Sequence, residues 1–268
     1  MRKFRYLFLL TILLTFGSSA LAGDDYGFCS SQNWSNGKKV SANDLREVTI
    51  PRTDLLTVDG KKNGGISVKG ENRSDILIRA CIRSWADDQQ KADAIAKNTR
   101  INTSGVIQAE NSDSDANYSV SYQILVPRNT NLKLTAHNGG VSIEAVQGNL
   151  NFATVNGGVK LSEVGGSVTG KTTNGGVKVD LSGNRFNGSG LNVETTNGGV
   201  KLSLPSNFAA DIETGTVNGG LKSDFEELQV EKKDRSYGRN NKVSASINGG
   251  GPKIRVVTTN GGVKIGTN

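Results

Sequence analysis

The side chains best suited to catalysis in this chain are five carboxylates in its second half: Asp180, Glu194, Asp211, Glu213 and Asp224. Hydrolysis of a glycosidic bond needs two carboxyl groups that face one bond. These acids therefore raise the hypothesis of a polysaccharide lyase or hydrolase. Their sequence positions do not bring any two of them together, and acidic residues at outward strand positions usually face solvent. We expect no catalytic residue and keep this enzyme class as the alternative.

Histidine and cysteine offer no recognisable reactive site. His137 is the only histidine of the chain, and it directly precedes an Asn-Gly-Gly motif, where other copies of the motif carry valine or threonine. A catalytic triad cannot be singled out around it, and the chain has no CxxC pair of metal ligands. Calcium-binding repeats need an Asp after their glycines, whereas Val and Lys follow here. We therefore expect neither a metal nor a cofactor.

The most regular charged positions belong to lysine. One lysine follows Asn-Gly-Gly-Val or Asn-Gly-Gly-Leu in five copies of a repeat: Lys160, Lys178, Lys201, Lys222 and Lys264. If the repeats stack, these side chains form a column about 4.8 Å apart, and a polyanion would relieve their repulsion. An acidic glycan or another component of the envelope surface is the candidate partner. The alternative is that outward lysines only keep the strands soluble, helped by acids such as Asp180 and Asp224.

The repeated Asn-Gly-Gly motif must position these lysines. From Asn138 onward it recurs at steps of 18, 18, 23, 21, 30 and 12 residues, with an earlier copy at Asn63. Apolar residues alternate with period two on both sides of the motif, as in LNVETTNGGVKL, and change parity across it. Glycine and asparagine tolerate the left-handed backbone that a tight turn needs. The motif therefore predicts a corner between two strands, with a second, weaker corner half a unit later at AVQGN and EVGGS.

Two architectures fit this pattern: an antiparallel meander of hairpins, or a parallel β-solenoid with coils of about 18–23 residues. The identity of the motif favours the solenoid, because equivalent residues then stack on one another. Threonines would form a hydroxyl ladder, Val and Leu the core, and the corner asparagines an amide ladder. The predicted asparagine column consists of Asn138, Asn156, Asn174, Asn197, Asn218 and Asn260.

The first half of the chain is less regular. Strand-like segments such as DILIRACI accompany one candidate helix from Trp85 to Lys97. We expect residues 23–130 to form an N-terminal cap with this short helix, because an open coil is an unpaired sheet edge, and residues 131–268 to form the solenoid. The charged stretch from Phe225 to Lys242 is expected to be a surface excursion. Few aromatic residues could stack on sugars from the surface, and the candidates are Trp34, Trp85 and Phe186. Phe186 lies in a corner insertion and could fold back or contact a partner.

The first 22 residues have the pattern of a secretory signal peptide, with basic residues, an apolar run and a small-residue ending at Ala22. Cleavage there would lower the formal charge from +7 to +4, because three basic residues are removed. No other stretch is apolar enough to span a membrane, and we expect no nucleic-acid partner because basic residues do not cluster with aromatic ones. In an oxidising compartment the only two cysteines, Cys29 and Cys81, predict one disulfide.

The segments FCSSQNW, NGGISVKGENRSDILIRAC, TTNGGVKL and TTNGGVKI resemble a bacterial family of adhesin-like domains, exported β-solenoids of unknown function. The resemblance covers nearly all of the chain from Phe28 to Ile265. It implies a place in the bacterial envelope and transfers no catalytic residue. The resulting hypothesis is a non-enzymatic adhesin-like or scaffolding protein. A self-assembling filament is a further alternative that requires an open end after VKIGTN.

Overall fold

The computed structural model describes residues 27–30, 39–229 and 241–268. Within these residues the chain forms two β-sheets of ten strands each, one α-helix and one short 3-10 helix. The all-β class predicted from the repeats is confirmed. The predicted signal peptide, residues 1–22, lies outside the described residues.

The first half contains seven strands and the only described α-helix: β1 (Val40–Pro51), β2 (Leu55–Asp59), β3 (Ile66–Glu71), β4 (Asp75–Ala86), α1 (Gln89–Asn98), β5 (Arg100–Asn102), β6 (Val106–Glu110) and β7 (Tyr118–Pro127). The helix begins later than predicted, because Trp85 and Ala86 continue strand β4. Its N-cap is Asp88, whose carboxylate accepts a hydrogen bond from the backbone N–H of Lys91 at 2.7 Å. A side-chain acceptor at this position satisfies one of the free N–H groups of the first turn.

The second half contains thirteen strands and the 3-10 helix: β8 (Asn131–Asn138), β9 (Val141–Glu144), β10 (Gln147–Asn156), β11 (Val159–Ser162), β12 (Gly165–Asn174), β13 (Val177–Asp180), β14 (Gly188–Asn197), β15 (Val200–Leu204), β16 (Ala210–Asn218), β17 (Leu221–Ser223), η1 (Glu226–Leu228), β18 (Asn241–Ile247), β19 (Lys253–Asn260) and β20 (Val263–Thr267). The Asn-Gly-Gly corners of the predicted asparagine column, from Asn138 to Asn218 and at Asn260, each separate a longer strand from a shorter one. We call a longer strand, its Asn-Gly-Gly corner and the following shorter strand a unit.

The two strands of a unit belong to different sheets. The shorter strands lie in sheet A, whose order is β1-β4-β7-β3-β9-β11-β13-β15-β20-β17. The longer strands lie in sheet B, whose order is β18-β16-β19-β14-β12-β10-β8-β2-β6-β5. Strands of successive units pair in parallel, for example β10 with β12 and β11 with β13. The first half contributes a unit with the same pairing, in which β2 pairs in parallel with β8 and β3 with β9, although here the first strand is one residue shorter than the second.

The core lies between the two sheets. Leu150 and Phe152 point inward before the corner at Asn156, and Val159 and Leu161 point inward after it, each at most 2 % exposed. The change of parity predicted from the sequence is the change of sheet. Phe186, in the corner insertion, folds back into this core.

The C-terminal unit does not lie where the chain order would put it. Strand β19 pairs in parallel with β14 on one side and β16 on the other, and β20 pairs with β15 and β17. The last unit is therefore inserted between two earlier ones. The filament alternative required an open end after VKIGTN, and the position of β20 between two strands contradicts that requirement.

Both ends of the stack of units carry further structure. At one end β18 pairs antiparallel with β16, and Phe225 and Leu228 are buried. This part of the predicted surface excursion is thus inside the protein, whereas residues 230–240 lie outside the described residues. At the other end α1 packs on β1 and β4. The Arg46 guanidinium donates hydrogen bonds to backbone carbonyls at the C-terminal end of this helix.

The predicted disulfide is present and joins Cys29 to Cys81 on β4. It ties the described N-terminal residues 27–30 to sheet A. Among the helices that the structure describes, none has the length and apolar character to cross a bilayer.

The asparagine side chains of the corners form one continuous ladder. Each Nδ2 donates to the Oδ1 of the preceding asparagine at 2.7–3.0 Å. The spatial order is Asn63, Asn138, Asn156, Asn174, Asn197, Asn260 and Asn218. Asn248 also precedes two glycines, but it has a φ of 48° and donates instead to the carbonyls of Ser206 and Phe208. This copy of the motif is a turn between β18 and β19, outside the ladder.

Threonine side chains reinforce the same corners. Two residues before the asparagine, a buried threonine hydroxyl donates to the carbonyl oxygen of the first glycine in the preceding unit at 2.7–2.8 Å: Thr154, Thr172, Thr195 and Thr258. Each such bond satisfies a buried hydroxyl and a corner carbonyl together. The Thr-x-Asn-Gly-Gly pattern of the sequence is thus one hydrogen-bonding unit.

The first glycine of the corner has no room for a side chain. A Cβ at Gly157 would lie 2.1 Å from the carbonyl oxygen of Gly139, and a Cβ at Gly198 would lie 2.1 Å from that of Gly175. The second glycine is different, since a Cβ at Gly199 would lie 3.4 Å from the carbonyl oxygen of Gly262. Close stacking therefore requires the first glycine, whereas the second position can accept a side chain at Gly158, Gly176 and Gly199, where the nearest atom would be 3.4 Å away.

Substitution of Gly175 and of Gly176 by alanine is a matched test of this stacking. A Cβ at Gly175 would lie 2.1 Å from the carbonyl oxygen of Gly157. We expect Gly175→Ala to lower the free energy of unfolding by about 2 kcal/mol or more, because the neighbouring backbone must move. At Gly176 the nearest atom would be 3.4 Å away, so Gly176→Ala should change the free energy of unfolding by less than about 1 kcal/mol. Urea unfolding measures both, and equal losses would contradict this description of the corner.

Candidate functional site

The five predicted lysines form one row on the outer face of sheet A. In the strand register Lys160 lies opposite Lys178, and Lys178 opposite Lys201. Because the last unit is inserted, Lys264 follows Lys201, and Lys222 comes last. All five side chains are exposed. We call this set, in its spatial order, the lysine row.

The lysine row carries little compensating charge. The Nζ of Lys178 lies 2.8 Å from the Oδ2 of Asp180. Among the residues that the structure describes, the other four lysines have no ion-pair partner. At the spacing of neighbouring strands, about 4.8 Å, two unit charges repel by roughly 0.9 kcal/mol in water. An anion bound along the row would remove this repulsion.

A shallow trough runs beside the lysine row. Two residues before each lysine is the second glycine of its corner, so no side chain covers the backbone there. A cavity of about 530 Å³ occupies the part of this strip between Gly65 and Gly158, and Lys160 lines one side of it. Beyond this cavity the strip continues as exposed glycine backbone at Gly176, Gly199, Gly262 and Gly220, because the N–H of each following valine donates to the carbonyl oxygen of the second glycine in the next unit. We call this strip the glycine trough.

Phe28 lines the glycine trough at the end away from most of the lysines. Its ring is half-buried, and the Arg79 guanidinium carbon lies 5.9 Å from the ring centroid. Sequence reasoning points to Trp34, Trp85 and Phe186 as possible sugar-stacking aromatics and misses Phe28. The sequence does contain a signal for Phe28, because it directly precedes Cys29, and the predicted disulfide to Cys81 holds this part of the chain against the strand that carries Cys81. Trp34 lies outside the described residues.

The predicted carboxylates are divided between two faces. Asp180 and Asp224 lie with sheet A, where Asp224 accepts a hydrogen bond from the backbone N–H of Thr267 at 3.2 Å. Glu194, Asp211 and Glu213 lie on sheet B. The core separates the outer faces of the two sheets, so an acid of one group cannot face the same bond as an acid of the other.

The acids of sheet B are held by cations or hydroxyls. The Glu213 carboxylate lies 2.6 Å from Lys253 Nζ and accepts a hydrogen bond from Arg255 Nε at 3.1 Å. The hydrogen bond from Lys253, with that from Arg255, holds the pKa of the Glu213 carboxyl below its usual range. Glu194 lies 3.5 Å from Arg255, and Asp211 accepts a hydrogen bond from the Ser246 hydroxyl at 2.6 Å. Glu213 therefore stays ionised at neutral pH, unlike a general acid.

His137 lies at the exposed end of β8, directly before the ladder asparagine Asn138. As the sequence predicts, His137 takes the position that valine or threonine occupies in other copies of the motif. Across residues 27–30, 39–229 and 241–268, no three His, Cys, Asp or Glu side chains come together in an arrangement able to hold a metal ion.

A family model described as Toastrack DUF4097 matches residues 30–266. The chain belongs to the Toastrack DUF4097 family. The name denotes a domain of unknown function, so membership assigns no activity to the Toastrack chain. A comparison with curated proteins finds no match.

Two solved structures are similar to this Toastrack chain. One is a "putative cell adhesion protein" from Clostridium sporogenes, with a TM-score of 0.47 and 13 % identity, covering 84 % of this chain and 100 % of that one. The other is a "putative adhesin" from Bacteroides fragilis, with a TM-score of 0.28 and 10 % identity, covering 84 % of this chain and 97 % of that one.

The lowered pKa of Glu213 predicts acid-dependent stability. A carboxylate whose pKa is lower in the folded state stabilises the fold above its unfolded pKa, about 4.3, and loses this effect as the pH falls through the folded value. We expect the wild type to unfold at higher urea than Glu213→Gln at pH 7, and the difference to vanish in strong acid. Glu194→Gln, which removes an ion pair of 3.5 Å, is the control on the same face. A difference that is constant from neutral to strongly acidic pH would contradict the assignment.

Proposed function

We propose that this chain is an exported, non-enzymatic envelope protein, adhesin-like or scaffolding in role. A parallel β-solenoid presents the lysine row to an anionic polymer of the envelope. The observation that carries the proposal is the register of the row, which aligns five lysines from five units. Four of the five have no ion-pair partner among the described residues. Unpaired like charges on one line are the complement of a linear polyanion.

The pairing of the strands supports the solenoid. Asn156 lies opposite Asn174, and Asn174 opposite Asn197, so equivalent residues of successive units stack on one another. An antiparallel meander would place these asparagines in hairpin turns and would not align them. Each unit then contributes one rung to the asparagine ladder and one lysine to the row.

The disulfide supports export. Disulfides persist in oxidising compartments and are rare in the cytosol. Cys29 and Cys81 form such a bond, and the first 22 residues have the pattern of a secretory signal. We place the mature chain in the periplasm, on the cell surface or outside the cell.

The division of the carboxylates supports a role without catalysis. A glycosidase or lyase of the alternative hypothesis needs convergent ionisable groups in one groove. The acids of sheet B are instead paired with Lys253, Arg255 or Ser246. The lysine row, by contrast, needs only a regular face in order to bind.

Replacing three lysines tests the proposal. In the oxidised mature chain, Lys160, Lys178 and Lys201 are changed to Gln together. We expect binding to acidic polysaccharides and to envelope fractions to weaken about tenfold, because each exposed charge contact contributes up to about 1 kcal/mol. The binding of the wild type should also weaken as salt is added.

A second triple variant controls for net charge. Lys133, Lys171 and Lys242 are exposed on sheet B, and their change to Gln removes the same charge from the other face. We expect this variant to bind as the wild type does. An equal loss of binding affinity in both triple variants would show that binding depends only on net charge, and it would overturn the proposal. Release of soluble sugar products in the same wells would favour the enzymatic alternative.

A further inference from the structure

We infer that the ligand of the lysine row is a linear polyuronate that lies in the glycine trough along the axis of the stack, with one sugar and one carboxylate per unit. The inference rests on the proposed function, because it names the ligand class of the same surface. It follows from the spacing of the row, the charges beside it and the lining of the trough.

The spacing of the row fits one charge per sugar. Adjacent units are separated by about 4.8 Å, the distance between paired strands. This is close to the length that one hexose adds to an extended chain. A polyuronate carries one carboxylate on every sugar, so its charges match the lysines one to one along the axis, and the long, exposed lysine side chains can reach carboxylates on either side of the chain. A polymer with a carboxylate on every second sugar leaves alternate lysines unpaired, and a polyphosphate places its charges too close together to stay in register.

The charges beside the row favour a narrow ligand over a flat one. Two positions beyond the lysines, on the same face, lie Asp180 and Asp224. Glu144 joins this acidic side, since it lies opposite Ser162, which lies opposite Asp180. An anionic membrane surface would meet both the lysines and these carboxylates. A single extended chain meets the lysines and leaves the acids in water.

The lining of the trough favours a sugar. The row continues past Lys160 as Ser142 and then Ser67, which lie opposite each other in neighbouring strands. Beyond the cationic part, the cavity is therefore lined by hydroxyls, glycine backbone and the Phe28 ring. Hydroxyls that hydrogen-bond and an aromatic face that packs on C–H groups suit a pyranose ring, whereas a phosphate chain could use the hydroxyls but has no C–H face to pack on the ring.

A length series of ligands tests the register. Oligogalacturonates of two to eight sugars are titrated calorimetrically into the oxidised mature chain. We expect affinity to rise steeply with each sugar up to five, the number of lysines in the row, and to rise only slightly from six to eight sugars, which reach the positions of Ser142, Ser67 and Phe28. At an equal number of charges, we expect inorganic polyphosphate, hyaluronan oligosaccharides and phosphatidylglycerol vesicles to bind at least about tenfold more weakly.

A pair of variants separates the contribution of the glycine trough to binding from that of the lysine charges. In Gly176→Gln/Gly199→Gln, side chains fill the trough at positions where a Cβ would have its nearest neighbour at 3.4 Å, and all five lysines remain. We expect this variant to lose about tenfold in affinity for the five-sugar ligand and to keep its affinity for polyphosphate. The control, Thr173→Gln/Thr196→Gln, places the same side chains of the same units on sheet B and should bind normally.

Phe28→Leu gives an independent readout if the glycine variant fails to fold. It keeps an apolar side chain and removes the ring, so we expect weaker binding of the eight-sugar ligand and unchanged binding of polyphosphate. Equal affinity for all polyanions of one charge, with no effect of the glycine variant or of Phe28→Leu, would overturn the inference and leave the proposed function standing. Preference for the vesicles would also overturn it, in favour of a lipid headgroup. If no polyanion binds at all, the proposed function itself fails.

Discussion

The close approach of one Asn-Gly-Gly corner to the next is the constraint on which the rest of this structure depends. The first glycines of neighbouring units lie so close that a Cβ at Gly157 would be 2.1 Å from the carbonyl oxygen of Gly139. Such an approach is possible only when equivalent residues stack directly. The asparagine amides and threonine hydroxyls then bond from unit to unit. One strand register follows for both sheets, and with it the parity that buries Leu and Val and exposes lysine.

The same constraint makes much of the fold predictable from the sequence. The repeated motif predicts the corner, the change of parity and the columns of Asn, Thr and Lys, because each column reflects one stacked position. The order of the units is not predictable in this way. The units of Asn218 and Asn260 share one sequence template, so the local sequence does not indicate that the later unit lies between Asn197 and Asn218. That order is a property of the tertiary structure, in which β18 pairs with β16 at the end of sheet B.

Outside the repeat, tertiary contacts decide local structure. Trp85 and Ala86 suit a helix by composition, yet they extend β4, which pairs on both sides in sheet A. Phe28 has no periodic partner, and its place beside the glycine trough follows from the bond between its neighbour Cys29 and a strand of sheet A. The division into a cap of residues 23–130 and a solenoid of residues 131–268 stays a prediction.

A stack that must keep its register also sets the spacing of its surface charges. On sheet B, cations and carboxylates of neighbouring units pair with each other, as Arg255 does with Glu194 and Glu213. On sheet A only Lys178 of the lysine row has an ion pair among the described residues, and the other four lysines lie next to further lysines of the row. This difference between the two faces of one scaffold is the physical basis for proposing sheet A as the binding face.

The most direct test of the stacking is a pair of engineered disulfides in the oxidised chain. Lys201→Cys/Lys264→Cys places thiols on directly paired strands, about 4.8 Å apart, whereas Lys201→Cys/Lys222→Cys places them two strands apart, about 9.6 Å. A disulfide cannot span α-carbons separated by more than about 7 Å. Peptide mapping should therefore find the first bond in high yield and little of the second. If the second double variant forms its bond in high yield and the first does not, the units lie in sequence order, and the row described above is contradicted.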